Sequence, residues 1–316
     1  MTKNMRRVLL SIVLLPIAIL TLSNLPYRMF GVLNRRFRWF DTFFFVYPAS
    51  AAYARNYAPA WFEDVARWVP CPIGIMQCGG SRGVVFGSLM TERDFLAPRN
   101  AENFSRLMRR MEKVAKLAGL PSIRMAGILP STAARRGESF FEDTSHVAAQ
   151  VVFKAFAEIR ERQQGGNQHT VAILLGGAGL VGAQVASMMK DAGIPHRVLD
   201  PRSGPIDLSV FRGNAPMVLI DIARKGVLEQ YLPHLPDGIV ILNETYPEPG
   251  KKVRRQLAER GSTLFHIRGV QGSVWPQLPG GYANAIPCCG APTDGRDVEV
   301  QLSQLVPEQY DLPMAA

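Results

Sequence analysis

One stretch, residues 170–200 (TVAILLGGAGLVGAQVASMMKDAGIPHRVLD), constrains this chain more than any other. The apolar run Val171–Leu175 reads as a strand buried on both faces. Gly177, Gly179 and Gly182 then give a G-x-G-x-x-G spacing, and residues 180–192, stopped by Gly193, read as a helix. A second strand closes at Asp200. Glycines let a backbone turn tightly and approach a pyrophosphate, and a helix N-terminus offers unpaired N–H groups at the positive end of its dipole. An acid about twenty residues beyond such a turn stands where the ribose hydroxyls of a dinucleotide are held. The expected cofactor contacts are therefore Gly177, Ala178, Gly179, Leu180, Val181, Gly182 and Asp200. Asp200 suits NAD, while Arg202 suits the 2′-phosphate of NADP, so both cofactors stay open. The alternative is a glycine turn without a ligand.

Beyond Asp200, residues 217–222, 238–243 and 263–267 form short apolar runs separated by helical or loop segments. That alternation implies an α/β, doubly wound parallel sheet of Rossmann type over residues 166–316. Asn243-Glu244-Thr245-Tyr246-Pro247 leaves a strand at its carboxyl end, the side on which such sheets bind ligands, and makes Tyr246 a substrate candidate. No Tyr-x-x-x-Lys pair of the short-chain dehydrogenase kind is present, so the chemistry must come from elsewhere.

Residues 41–165 are expected to form a smaller α/β substrate domain. Strands at 73–77 and 83–90 flank CGGSRG. Gly79, Ser81 and Gly83 match G-x-S-x-G, but a nucleophile elbow needs a helix after its serine and here a strand follows, so the motif reads as a hairpin turn. Residues 42–47 fit either a buried first strand or membrane contact, and residues 60–69 a short helix. Residues 103–117 read as an amphipathic helix ending at Gly119, its basic face either solvated or open to an acidic carrier protein. SIRMAGILPS reads as a strand leading into a polar loop, STAARRGESFFED, that carries Arg135 and Arg136. Asp143-Thr144-Ser145-His146 opens a long helix over residues 147–162. Asp143 or Thr144 caps it, or the helix start faces an interdomain cleft, with Asp143 and Thr144 near substrate and His146 as proton donor.

The net charge of +10 is unevenly placed, because Lys3, Arg6, Arg7, Arg28, Arg35, Arg36 and Arg38 all precede the first acidic residue, Asp41. Residues 8–22 are almost entirely apolar, contain Pro16, and fall short of the roughly twenty needed to span hydrocarbon. No small-x-small cleavage site follows them. Residues 27–57 mix arginines with aromatic rings, a blend suited to a bilayer interface. Residues 1–40 are thus expected to anchor the chain at the inner (cytoplasmic) membrane, with the body on the cytoplasmic face where the cofactor is; secretion is the rival. Anionic lipid, not nucleic acid, is the expected surface partner. Cys71, Cys78, Cys288 and Cys289 show neither metal-ligand spacing nor a disulfide framework, and no metal is expected.

The order of parts from Phe43 to Cys289 resembles the long-chain acyl-carrier-protein reductases that form fatty aldehydes, and more distantly the two-domain layout of shikimate dehydrogenases. The resemblance lies in FVYP, GVVFGSLMT, GLPSIRMAGILPS, DTSH, GGAGLVG and NETYP, the last two matching that family's cofactor loop and Gly-Gly-Tyr-Pro turn. It implies that Cys288 or Cys289 is acylated by a thioester carried on acyl carrier protein or coenzyme A, and that hydride from NADPH then releases aldehyde. A thiolate suits thioester exchange, provided a helix start or basic group lowers its pKa. Three readings follow. One is a membrane-associated NAD(P)H-dependent reductase of a lipophilic acyl thioester; the second is a direct hydride-transfer enzyme acting on a membrane-soluble alcohol or ketone. The third is a non-catalytic, membrane-tethered dinucleotide-binding subunit. No oligomeric state is indicated.

Overall fold

The computed structural model describes residues 12, 16, 21–51, 54, 62, 66–164, 170–200, 207–212, 215–278, 282, 285–293 and 298–306. Its elements begin with α1 (Leu25–Phe37), β1 (Thr42–Val46), β2 (Cys71–Cys78), β3 (Ser81–Gly87), α2 (Glu92–Leu96), α3 (Ala101–Ala118), β4 (Ser122–Met125) and α4 (Leu129–Arg135). Then follow α5 (Ser145–Gln164), β5 (Val171–Leu175), α6 (Leu180–Asp191), β6 (His196–Leu199), β7 (Met217–Asp221) and α7 (Val227–Tyr231). The remainder are β8 (Val240–Asn243), α8 (Lys251–Glu259), β9 (Thr263–Gln271), β10 (Ser273–Trp275), β11 (Ala285–Ile286) and β12 (Val300–Gln304). Two compact units result. The first runs to Asp143 and takes in Gly272–Leu278; the second comprises Thr144–Gln271 and the described residues from 282 to 306. The division falls one helix before the boundary expected near residue 165, because α5 packs on α6.

In the first unit the sheet order is β10-β2-β3-β1-β4. β1 lies parallel to both β3 and β4, and a central strand must be apolar on both faces, so Phe43, Phe44 and Phe45 are wholly buried. The aromatic segment therefore divides: Phe43–45 belong to the core, while Phe37 and Trp39 stay exposed. β2 and β3 form the expected hairpin about Gly79 and Gly80, with Ser81 at the start of a strand. The apolar stripe of α3, with Phe104, Leu107, Met108, Met111 and Val114, fills the core against β1. Exposed pairs Glu102–Arg106 and Glu112–Lys116 sit on its outer face, each worth only a few tenths of a kcal/mol. Gly119 ends the helix at φ +67, a left-handed conformation that favours glycine.

The polar loop expected after β4 is in part a helix. Pro130 opens α4, Leu129, Thr132 and Ala133 are buried, and polar neighbours hide this short apolar face in the sequence. Arg136 follows, donating to the Phe95 carbonyl at 3.2 Å with its guanidinium 4.5 Å from the Phe104 ring centroid.

The second unit carries the order β11-β9-β8-β7-β5-β6, with β12 also on β9. β5 through β9 pair in parallel; β11 and β12 run antiparallel to β9. The parallel order β6-β5-β7-β8-β9 is doubly wound, and it reverses direction between β5 and β7. Leu228 of α7 and Val253 and Leu257 of α8 cover the face bearing Ile173, Leu175, Leu219 and Ile241.

Among the described residues no helix is long and apolar enough to cross a membrane. Most of residues 8–22, most of 60–65, and Arg202 lie outside the described residues.

Candidate functional site

The turn after β5 is built from glycines for reasons visible in its packing. Gly176, which the motif spacing does not include, has φ +91, and a Cβ there would stand 2.9 Å from the backbone N of Ala223 in the turn after β7. A Cβ on Gly177 would meet Val198 Cγ1 at 2.8 Å. One on Gly182 would run into the Gly176 carbonyl and stand 2.6 Å from Gly177 Cα, so the first turn of α6 can approach the loop only without a side chain. Gly179 is the N-cap, with no side-chain cap; the first bond of the helix runs from Ala183 N to Gly179 O at 2.9 Å. The amides at this end and the positive end of the dipole thus face the turn, an arrangement that attracts anions.

Asp200, 6% exposed, follows β6, and its Oδ2 accepts a hydrogen bond from Ala178 N at 3.1 Å. The carboxylate is therefore part of the glycine turn as well as its neighbour. Turn and acid lie at the carboxyl ends of β5 and β6, beside the place where the strand order reverses, which is where open α/β sheets hold ligands.

A second polar group occupies the carboxyl ends of β7, β8 and β9. Asp221, Asn243 and His266 stand on one rung of the parallel sheet and are almost fully buried. Asn243 Nδ2 donates to Asp221 Oδ2 at 3.0 Å, which turns Asn243 Oδ1 toward His266 Nδ1, 2.8 Å away. His266 therefore carries its proton on Nδ1, and its buried Nε2 has no hydrogen-bond partner. Burial holds the imidazole down to about 4 and pushes the Asp221 carboxyl up to about 7, against the amide of Ala223 at 3.2 Å.

Glu244 comes next in the chain. Its backbone N–H bonds the Asp221 carbonyl at 3.0 Å, and the Thr245 hydroxyl bonds the Ala223 carbonyl at 2.6 Å, stitching this turn to the turn after β7. Burial, reinforced by the Asp221 charge, raises the Glu244 carboxyl to about 7. Cys288 Sγ donates to Glu244 Oε1 at 3.4 Å. Burial first, then the Glu244 charge, pushes this thiol well above its usual range. The group beside Cys288 is thus an acid, where an activated thiolate calls for a cation or a helix start. Tyr282, its hydroxyl also raised by burial, stands with its ring centroid 4.7 Å from that of Tyr246. Cys289 is half-buried beside Cys288 in a single 3-10 turn.

The structure thus brings Tyr246 and Cys288 together around Glu244, a residue that the NETYP motif does not single out. Thr144 is buried, and its carbonyl accepts from Val147 N at 3.1 Å and Ala148 N at 3.2 Å. Asp143 and His146 are exposed. Ser145, not singled out in DTSH, accepts from Gln184 Nε2 of α6 at 2.6 Å and ties the start of α5 to the helix behind the glycine loop. The group Asp221, Asn243 and His266, which sequence reasoning missed, does leave a signal: VLID, VILN and LFH each put a polar residue straight after an apolar run. Among the described residues no group of His, Cys, Asp or Glu could hold a metal ion.

No family model matches the chain, and no curated protein does. Solved structures do resemble it. L-tryptophan dehydrogenase from Nostoc punctiforme shares 11% identity over 71% of this chain and 68% of that one, with a TM-score of 0.34. A dipicolinate synthase from Bacillus halodurans shares 17% over 50% and 60%, at 0.29. D-lactate dehydrogenase with NAD+ from Lactobacillus jensenii shares 14% over 80% and 91%, at 0.28. At such scores these likenesses carry no argument, and the doubly wound assignment rests on the strand order of the second unit itself.

Proposed function

We propose that the second unit binds NAD or NADP at the carboxyl ends of β5, β6 and β7, and that the chain is an oxidoreductase acting on a lipophilic carbonyl or alcohol. One observation carries this reading: the Gly176–Gly182 turn meets the uncapped start of α6 at the reversal of strand order, with Asp200 bonded into the same turn. The amides at the start of α6 would hold the pyrophosphate, and Asp200 the ribose hydroxyls. When bound, the cofactor supplies or takes up a hydride.

Glu244 is the group suited to move the accompanying proton. With a carboxyl pKa of about 7, it is present in both protonation states near neutrality. It gives a proton to the carbonyl oxygen as hydride reaches the carbon, and takes one from the hydroxyl in the reverse direction. The Cys288 thiol, donating to Oε1, orients that carboxyl. The buried rung of Asp221, Asn243 and His266 supports the turn from behind, and the Asp221 charge helps to keep Glu244 high. The apolar residues 8–22 behind Lys3, Arg6 and Arg7 support a substrate drawn from the cytoplasmic face of a membrane.

A second reading keeps the acyl-thioester route, favoured by the Cys288–Glu244 contact. There Glu244 takes the thiol proton as Sγ attacks the thioester and the carrier thiol leaves; hydride transfer to the acyl-enzyme then frees aldehyde and Cys288. The acidic surroundings of Cys288 place this route second. Titration with NADH and NADPH, followed by fluorescence, tests the main proposal. Binding weakened at least tenfold by Asp200→Ala is expected, and absence of binding to either cofactor sinks it. Loss of turnover in Cys288→Ala, Cys289→Ala would move the chemistry to the covalent route.

A further inference from the structure

The first unit carries a helix that is apolar on two opposite sides. Tyr27, Gly31 and Asn34 of α1 are buried. A methyl at Gly31 would run into the Leu117 carbonyl, so α1 lies close against α3. Asn34 pins the junction, donating to the carbonyls of Phe40 at 2.8 Å and Gly119 at 2.9 Å and accepting from Phe40 N at 2.9 Å. Arg110 of α3 holds the other end, bonding the Asn24 side chain and, at 2.9 Å, the Thr21 carbonyl. The orientation of α1 on its unit is thus set by buried polar contacts at both ends.

The side turned away from these contacts carries Leu25, Met29, Val32 and Leu33, spaced i, i+4, i+7 and i+8, and they are 63%, 63%, 62% and 49% exposed. Phe37 and Trp39 extend the patch, their rings stacked with centroids 4.8 Å apart. Scattered exposed apolar residues are ordinary, but a continuous stripe of this kind marks a contact surface. Arg28, Arg35, Arg36 and Arg38 are exposed around it, and no carboxylate precedes Asp41 in the chain.

We infer that this face of α1 lies in the headgroup layer of an anionic membrane, with Leu25, Met29, Val32, Leu33, Phe37 and Trp39 toward the acyl chains. Two observations choose lipid as the occupant. The patch combines an apolar stripe, an aromatic pair and arginines without acids, as interfacial helices do. It also continues the exposed Leu22 at the end of the apolar residues 8–22. The inference rests on the membrane part of the proposed function and is independent of its dinucleotide part.

The test uses the full chain with phosphatidylcholine vesicles, with and without phosphatidylglycerol. Because residues 8–22 could hold the chain on vesicles unaided, the decisive readout is local: quenching of Trp39 emission by brominated lipid, taken as the difference between wild type and Trp39→Phe. Quenching in phosphatidylglycerol vesicles is expected, to be lost in Met29→Glu, Val32→Glu. Arg28→Ser, Arg36→Ser should lower partitioning about 25-fold, at about 1 kcal/mol per charge near an anionic surface. Equal quenching in wild type and Trp39→Phe, or partitioning indifferent to both double variants, would overturn the inference. NADH titration of the same samples reports the dinucleotide reading separately, and all four substituted α1 positions are exposed, so folding is not at stake.

Discussion

Replacing Asp221 with Asn tests the buried polar rung directly. The side chain is 3% exposed, and burial raises its carboxyl from 3.8 to about 7. The folded chain therefore binds this proton more tightly than the unfolded chain does. The stability that the protonated carboxyl contributes is fully present below about pH 4 and is lost as the pH rises to about 7. From pH 5 to 7, at 1.36 kcal/mol per pH unit, the loss is about 3 kcal/mol. Asn carries no charge and escapes this loss, but its NH2 group cannot accept. One of the bonds that Asp221 receives, from Ala223 N at 3.2 Å or Asn243 Nδ2 at 3.0 Å, then has no acceptor. That costs about 1–3 kcal/mol at any pH. The charged groups facing Asp221 are Glu244 and Glu229; His266, linked through Asn243, is neutral above about 4. The stability of Asp221→Asn relative to wild type should therefore rise by about 3 kcal/mol between pH 5 and pH 8, leaving the variant the more stable at pH 8. Urea denaturation at the two pH values measures it. A difference that does not move with pH would refute the reasoning, since it would mean that Asp221 ionises as an exposed acid does.

Other expectations follow from single contacts. Gly182→Ala sets a helix-propensity gain of about 1 kcal/mol against overpacking of about 1–3 kcal/mol on the Gly176 and Gly177 backbone. Its stability should thus change little while NADH affinity falls at least tenfold in a fluorescence titration, whereas Gly80→Ala, which has open space around it, should alter neither. Glu244→Gln should lower turnover by about 10²–10⁴ with dinucleotide affinity kept, and wild-type kcat should show a limb near pH 7 that the variant lacks. Gly31→Ala should push α1 off the Leu117 carbonyl and lower the melting temperature by a few degrees.

Much of the second unit is legible in the sequence because its signals are local. An apolar run bounded by glycines is a buried strand wherever it occurs, and Val171–Leu175, Met217–Asp221 and Val240–Asn243 all form in this way. The glycine turn is likewise readable from spacing. Gly176 is not, because its need for glycine comes from Ala223, a contact nearly fifty positions away in sequence that exists only when β5 and β7 pair. The short helix α4 escapes detection for a related reason: Leu129 and Ala133 become an apolar face only against the core they join.

The candidate proton donor shows the same limit more sharply. Nothing in NETYP distinguishes Glu244 from a solvated turn residue, and nothing in IPCCGAP distinguishes Cys288 from any other thiol. What separates them is burial and mutual placement. Sequence alone determined where a dinucleotide turn could form, since that depends on glycine conformations and apolar periodicity within one short segment. Tertiary structure alone decided that Asp221, Asn243 and His266 share a rung, that an acid stands against Cys288, and that α1 keeps one apolar side uncovered. The physical reason is that desolvation and pairwise charge act through space, between groups that only the folded chain brings into contact.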